Sequence, residues 1–179
     1  MGYGAVGRGL YNPPVVKHRI FMSYHHGGDQ AYYDAFSTKF HDTYDVIRDV
    51  SLDAEVESDD VEYVMRRIRE NYITGSSCTI VLVGENTWRR KYLDWEIKAT
   101  LDKEHGLIGA YLPSATRSPE GKLIVPGRLH DNIQSGFALF LSWQDLTAGA
   151  AQLERYVNDA KSHDRRLINN SRERQLRNN

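Results

Sequence analysis

Thr79–Ala99 reads TIVLVGENTWRRKYLDWEIKA. Its first five residues, Thr79 to Val83, form a continuous apolar, β-branched run of the kind found in strands buried on both faces of a parallel sheet. Gly84 closes the run. Beyond Glu85-Asn86-Thr87 the spacing turns helical. Leu93, Ile97, Thr100 and Leu101 make one stripe, and Trp88, Tyr92, Trp95 and Glu96 make a neighbouring one within about a quarter of the helix circumference. One carboxylate thus shares a face with three aromatic rings. In a parallel sheet this helix starts at the carboxyl end of a central strand, where open α/β folds bind their ligands. Spacing alone fits equally well an aromatic core stripe with Glu96 at the surface.

Outward from this stretch, strands and helices alternate. Arg19–Tyr24 reads as the first strand, running into a turn at His25-His26-Gly27-Gly28-Asp29 in which Asp29 caps the next helix. That helix carries Tyr32, Tyr33, Phe36 and Phe40 and ends near Asp42. Tyr44–Leu52 supplies a second strand, followed by the acidic loop Asp53–Glu57. Ser58 caps a helix buried through Val61, Val64, Met65, Ile68 and Tyr72 and stopped by Gly75. Gly106 ends the Glu96 helix, Leu107–Leu112 is the fourth strand, and residues 114–133 hold a small hairpin or ordered excursion around Ser118-Pro119-Glu120-Gly121. Phe137–Leu141 is the last strand, and a closing helix runs from Ala148 to about Ile168. The alternation predicts an α/β fold of three layers, flavodoxin-like, with about five mostly parallel strands flanked by helices. Its expected organisation is a flexible extension over residues 1–17, one domain over 18–168 and a polar basic tail over 169–179.

The 179 residues are 40% hydrophobic and 26% charged, as in an ordinary single globular domain. No stretch approaches the roughly 20 apolar residues that span a bilayer, and the N-terminus lacks a signal-peptide pattern, so a cytoplasmic location and no membrane partner are expected. The single cysteine, Cys78, enters the apolar strand and reads as a buried thiol. No metal is expected: adjacent His25 and His26 have no third ligand at helical spacing, although their place after the first strand makes His25 a candidate ligand contact. The G-x-G-x-x-G at Gly2, Gly4 and Gly7 follows no strand and is no dinucleotide fingerprint. Asp42 to Glu62 carries nine acidic residues against Arg48, which argues against a nucleic-acid face there. Lys161–Asn179 carries six basic residues against Asp164 and Glu173, and reads as a solvated, partly frayed helix end.

The ordered set Ile20-Phe21-Met22-Ser23-Tyr24-His25 with Asp29, Thr79–Gly84 with Thr87-Trp88, and Arg90-Lys91-Tyr92 with Trp95-Glu96-Ile97 resembles the TIR domain. It resembles more closely the TIR-like family of stand-alone bacterial proteins that includes the sensor of Thoeris antiphage systems. The likeness runs from about His18 to Trp143. It departs from ordinary TIR domains in having His25 where an arginine often stands, and in the acidity of the loop after the second strand.

The resemblance implies an enzyme that breaks the N-glycosidic bond of NAD, releases nicotinamide and makes an ADP-ribose-derived, possibly cyclic, nucleotide signal for a separate effector. NAD is then substrate, with no prosthetic cofactor. Self-association and a phage-derived trigger are the other partners it implies. The family glutamate maps to Glu96, whose carboxylate would stabilise the oxocarbenium-like ribose. Trp88, Tyr92 or Trp95 would stack on the nicotinamide ring. Arg89 and Arg90 sit where a pyrophosphate would meet a helix start, although solvent screening explains them equally well. Tyr24, His25, Thr87, Ser51 and Asp53 complete the candidate set. A non-catalytic interaction module and a nucleoside deoxyribosyltransferase-like enzyme are the alternatives.

Overall fold

The structure, a computed structural model, describes residues 17–48 and 61–178. The flexible extension, the acidic loop with Ser51 and Asp53, and the Ser58 cap therefore lie outside the described residues. Five strands, β1 (His18–Ser23), β2 (Tyr44–Ile47), β3 (Cys78–Val83), β4 (Gly106–Tyr111) and β5 (Leu139–Ser142), form one sheet in the order β2-β1-β3-β4-β5. All its pairings are parallel. This is the α/β fold expected of a TIR-like domain. Every residue of β3 is buried, as its unbroken apolar run requires of a central strand covered on both sides.

Alternate residues of the strands feed opposite layers, as a period of two dictates. Ile20, Met22, Ile80, Leu82 and Ile108 pack with α1 (His26–Phe40) and α6 (Ala150–Ser162) through Phe36, Phe40, Leu153 and Val157. On the other face, Val81, Val83 and Leu107 meet Leu93, Ile97 and Leu101 of α3 (Lys91–Asp102) and Leu129 of α4 (Gly127–Gln134). Beside them, Phe21 packs with Val64 and Met65 of α2 (Val61–Arg67), Ile68 and Ile73 of its π-helical continuation (Ile68–Ile73), and Trp95 of α3. The sheet order reverses between β1 and β3, because the chain leaves β1 toward β2 and returns on the other side. The crevice at a parallel sheet's carboxyl end opens at such a switch point.

Several boundaries differ from the sequence expectation. Helix α1 begins at His26, so Gly27, Gly28 and Asp29 lie inside its first turn and His25, not Asp29, occupies the cap position. Trp88 stands outside α3, on a separate 3-10 turn at Thr87–Arg89, because Arg90 is extended and breaks the helical run. The hairpin at Ser118–Gly121 is present, closed by Ser118 N–H on the Lys122 carbonyl at 2.8 Å and a bridge between Arg117 and Leu123. The rest of that excursion is α4, whose polar residues disguise it. The closing segment is a short α5 (Trp143–Leu146) followed by α6, which stops at Ser162 rather than Ile168.

Helix α3 ends in a Schellman turn: His105 N–H reaches the Thr100 carbonyl and Glu104 N–H the Leu101 carbonyl. Glu104 takes the left-handed position with φ 55°, where glycine is the unstrained residue, and Gly106 is the first residue of β4 rather than the helix stop. Glu104→Gly relieves about 1–2 kcal/mol of local strain against about 0.5–1 kcal/mol of added unfolded-state entropy. A net stabilisation of about 0.5–1 kcal/mol is expected in urea denaturation, and a loss of stability would refute this account of the turn.

Candidate functional site at the carboxyl end of the sheet

Ser23 is the last residue of β1, and its Oγ donates to Glu96 Oε2 at 2.5 Å. Both are buried, Glu96 to 2% exposure. The carboxylate is thus neither on the surface nor in the aromatic core. It lies under the second turn of α3, against the end of β1 at the switch point. One turn on, Thr100 Oγ1 shares a 2.8 Å hydrogen bond with Thr79 Oγ1 of β3, so this face of α3 is pinned to both strands that flank the crevice.

A second polar knot joins the loops after β1 and β3. Thr87 Oγ1 accepts from Gly84 N–H at 2.8 Å, and its own hydroxyl proton lies between the Leu82 carbonyl at 3.1 Å and Asp29 Oδ2 at 3.4 Å. Asp29 crowds the backbone so closely that a Cβ on Gly84 would sit 2.2 Å from its Oδ1. Burial raises the Asp29 pKa to about 6, with a smaller push from Glu85, against hydrogen bonds from Thr87 and the His25 backbone. His25 lies at the same edge, and its pKa is lowered first by burial, then by the charges of Arg90 and His26.

The remaining candidates divide between this edge and elsewhere. Tyr24 is buried, stacked between His26 and Tyr33, with its hydroxyl donating to Gln30 Oε1 at 2.7 Å and accepting from Arg48. The half-buried Arg90 has an enclosed Nε without a hydrogen-bond partner among the described residues. Arg89 is exposed and lies over the Trp88 ring, 4.6 Å from its centroid. Thr87 is fully buried as the loop's internal clasp. Trp95 is 2% exposed, with its ring in the core and Tyr92 edge-on to it at 5.3 Å. Thr87 and Trp95 serve the fold in this conformation, because their polar atoms already have internal partners. Trp88 lines a recess of about 520 Å³ with Asp94, Val125 and Gly127. Cys78 is buried and its thiol is pushed up to about 12 by burial, as expected of an inert core sulfur.

What the sequence does not disclose is how residues 169–178 are used. They form no helix end. They run as an extended strap across α4 and the start of α3, and contribute to the wall of the Trp88 recess through Arg172, Glu173 and Gln175. Arg128 of α4, with no exposed surface, donates through Nε and Nη2 to Asp94 of α3 at 2.9 and 3.2 Å. It also reaches Asn170 Oδ1 at 2.7 Å and the Glu173 carbonyl at 3.2 Å. Asp94 Oδ2 accepts the Gln175 backbone N–H, and Trp95 Nε1 donates to the Gln175 carbonyl at 2.8 Å. Asn178 Oδ1 caps the first N–H of α3, at Lys91. Only the acid in the first turn of α3 and the arginine in an otherwise unremarkable polar segment signal this knot in the sequence.

Residues 21–117, more than half of the chain, match the family described as Thoeris protein ThsB, TIR-like domain. The chain belongs to this family. It is a TIR-like protein of antiphage defence, and the matched span runs from β1 through β4, including Ser23, Asp29 and Glu96. Residues 118–179, with Arg128 and the strap, lie beyond it. No match to the chain is found among the curated proteins. No helix among the described residues of this ThsB-family chain is long and apolar enough to cross a membrane.

Two outcomes follow from these knots. Arg128→Ala leaves Asp94 buried without its counter-charge, and a loss of about 3–5 kcal/mol is expected in urea denaturation; a loss under 1 kcal/mol would show that the pair is dispensable. For Asp29, the folded pKa of about 6 lies above the ordinary 3.8, so the folded state holds its proton longer than the unfolded chain. Its contribution to stability therefore declines as pH rises from about 4 to about 6 and is lowest above that window. Asp29→Asn removes the titration, so its stability relative to the parent is expected to be higher at pH 7 than at pH 4.5. An equal difference at both pH values would contradict the assignment.

Proposed function

We propose that this protein cleaves the nicotinamide–ribose bond of NAD and passes on an ADP-ribose-derived nucleotide, linear or cyclic, as the signal that activates a separate effector. The observation that carries this reading is Glu96: a carboxylate buried at the switch point and oriented by the Ser23 hydroxyl at 2.5 Å. As the C1′–N bond breaks, the bonding pair leaves with nicotinamide, and positive charge builds on the ribose carbon and ring oxygen. A fixed carboxylate beside that sugar stabilises the charge more than it stabilises the neutral ground-state ribose. Capture by water gives ADP-ribose and a proton; capture by a nucleophile within the same nucleotide gives a cyclic isomer.

The flanking residues suit the rest of such a substrate. Arg90 brings an enclosed guanidinium nitrogen without a partner to the start of α3, beside His25. A pyrophosphate oxygen there would pair that nitrogen and suit the positive end of the helix dipole.

The test is turnover of NAD by the purified chain and in lysate from phage-infected cells, with products followed by mass spectrometry. Glu96→Gln keeps an acceptor for Ser23 and is expected to fold, while losing nicotinamide release by about 10²–10³-fold or more. Undiminished release in that variant, or intact NAD in every sample, would overturn the proposal and favour an interaction module.

A further inference from the structure

The amino end of the sheet, opposite Glu96, carries a second cluster that the NAD reading leaves unused. A cavity of about 260 Å³ opens there between the residues entering β3, the turn from α3 to β4, and the end of α6. Its lining includes Ser77, Lys103, His105, Lys161 and Arg165, with Glu104 as its one acid. Three permanent cations thus face one carboxylate. Among the described residues neither Lys103 nor Lys161 has an ion-pair partner.

Basic side chains at helix C-termini complement the macrodipole, which by itself accounts for Lys103 and Lys161. It does not account for His105. Its Nδ1 is enclosed and has no hydrogen-bond partner among the described residues, whose other buried side-chain polar atoms are almost all paired. Several of the helix-end carbonyls are already taken by internal donors. The α3 end is closed by its Schellman turn, and Arg165 Nη1 donates to the Lys161 and His163 carbonyls at 3.0 and 2.7 Å. These bonds fix the guanidinium while leaving its Nε and Nη2 edge without an internal partner among the described residues. The cavity therefore presents ammonium, guanidinium, hydroxyl and imidazole groups together, and Glu104 is held at its rim in a strained left-handed conformation.

We infer that this cavity is a binding site for a phosphate-class oxyanion, held by Lys103, Lys161, Arg165 and Ser77 with His105 Nδ1 as the closing contact. A phosphate monoester terminus and free inorganic phosphate present the same oxygens, so the site takes either by the same chemistry. Burial, and then the charges of Lys103 and Arg165, lower the His105 pKa. A bound dianion reverses the electrostatic part, which gives the imidazole a distinctive response.

The full chain, labelled at histidine, is titrated with inorganic phosphate and separately with AMP, against chloride at matched ionic strength, and His105 is followed by NMR. Saturable binding that raises the His105 pKa by half a unit or more is expected. Tighter binding of AMP by threefold or more assigns the source as a nucleotide; equal affinity assigns it as the free anion. Lys161→Glu and Lys103→Glu should each weaken phosphate at least tenfold without altering the melting temperature by more than a few degrees, and Glu104→Gln should tighten it about threefold. A His105 response no greater than in chloride, or unchanged affinity in both charge-reversed variants, would overturn the proposal. Because the readout is binding at His105, it is independent of whether NAD is turned over.

Discussion

A guanidinium with no exposed surface, that of Arg128, is the constraint on which the helical layer over β1, β3 and β4 depends. Burying such a charge carries a desolvation penalty of several kcal/mol, which only complete pairing offsets. The pairing joins three pieces of chain at once: Arg128 on α4, Asp94 on α3, and Asn170 and the Glu173 carbonyl on the strap. None of the three can shift alone without exposing or orphaning the charge. The consequence reaches Glu96 through helix geometry. Two residues along an α-helix are about 200° apart, so with Asp94 held outward against the strap, Glu96 is turned in toward the sheet. An interaction outside the matched family span thus fixes the rotation of the helix that carries the candidate carboxylate.

The carboxyl end of the sheet gathers several buried polar groups. Ser23, Asp29, Thr87 and Glu96 are all buried, at the ends of strands whose interiors are largely apolar. For stability alone, apolar side chains at these places would do as well or better, since each buried polar group must be paired to avoid a penalty of about 1–3 kcal/mol. Thr87 ties its own loop to Asp29 in the first turn of α1. The two loops that form the crevice on either side of the switch point therefore share one hydrogen-bonded joint, and its ionisation state is set by the burial of a single carboxyl.

The fold was readable because its central strand declares itself. An unbroken Thr79–Val83 run cannot face water on either side, so helices on both faces and parallel crossovers follow from it, and the apolar stripes of α1, α2 and α3 match that requirement. Glu96 was readable as a candidate because of its place after that strand, although its immediate surroundings were not. The aromatic stripe does not form a single helix face, for two physical reasons. Arg90 adopts an extended backbone that places Trp88 outside the helix, and tertiary packing against α2 claims Trp95 for the core. The strap was invisible because its affinity for the body resides in backbone groups and in partners 37 to 112 residues away. A segment rich in Arg and Asn has no apolar period to betray that it is docked. Helix α4 was missed on the same ground, since its most buried side chains include an arginine and an asparagine.

The parallel sheet also sorts charge between its ends, and the exceptions to that sorting are where chemistry should be sought. Helices that follow parallel strands point their positive ends at the carboxyl edge and their negative ends at the amino edge. Carboxylates above and ammonium groups below are therefore what the dipoles favour, and Lys161 near the end of α6 needs no further reason. Glu96 does, because it lies in the second turn of α3 and buried, where the dipole gives little and desolvation takes much. Arg90 and Lys91 do as well, being cations at a positive helix end. Charges placed against the field of their own helices are retained only if something outside the helix compensates them. At α3 the strap occupies backbone groups beside these cations, Asn178 accepting the Lys91 N–H and Gln175 donating to the Arg89 carbonyl, while the Arg90 Nε beside His25 has no hydrogen-bond partner among the described residues.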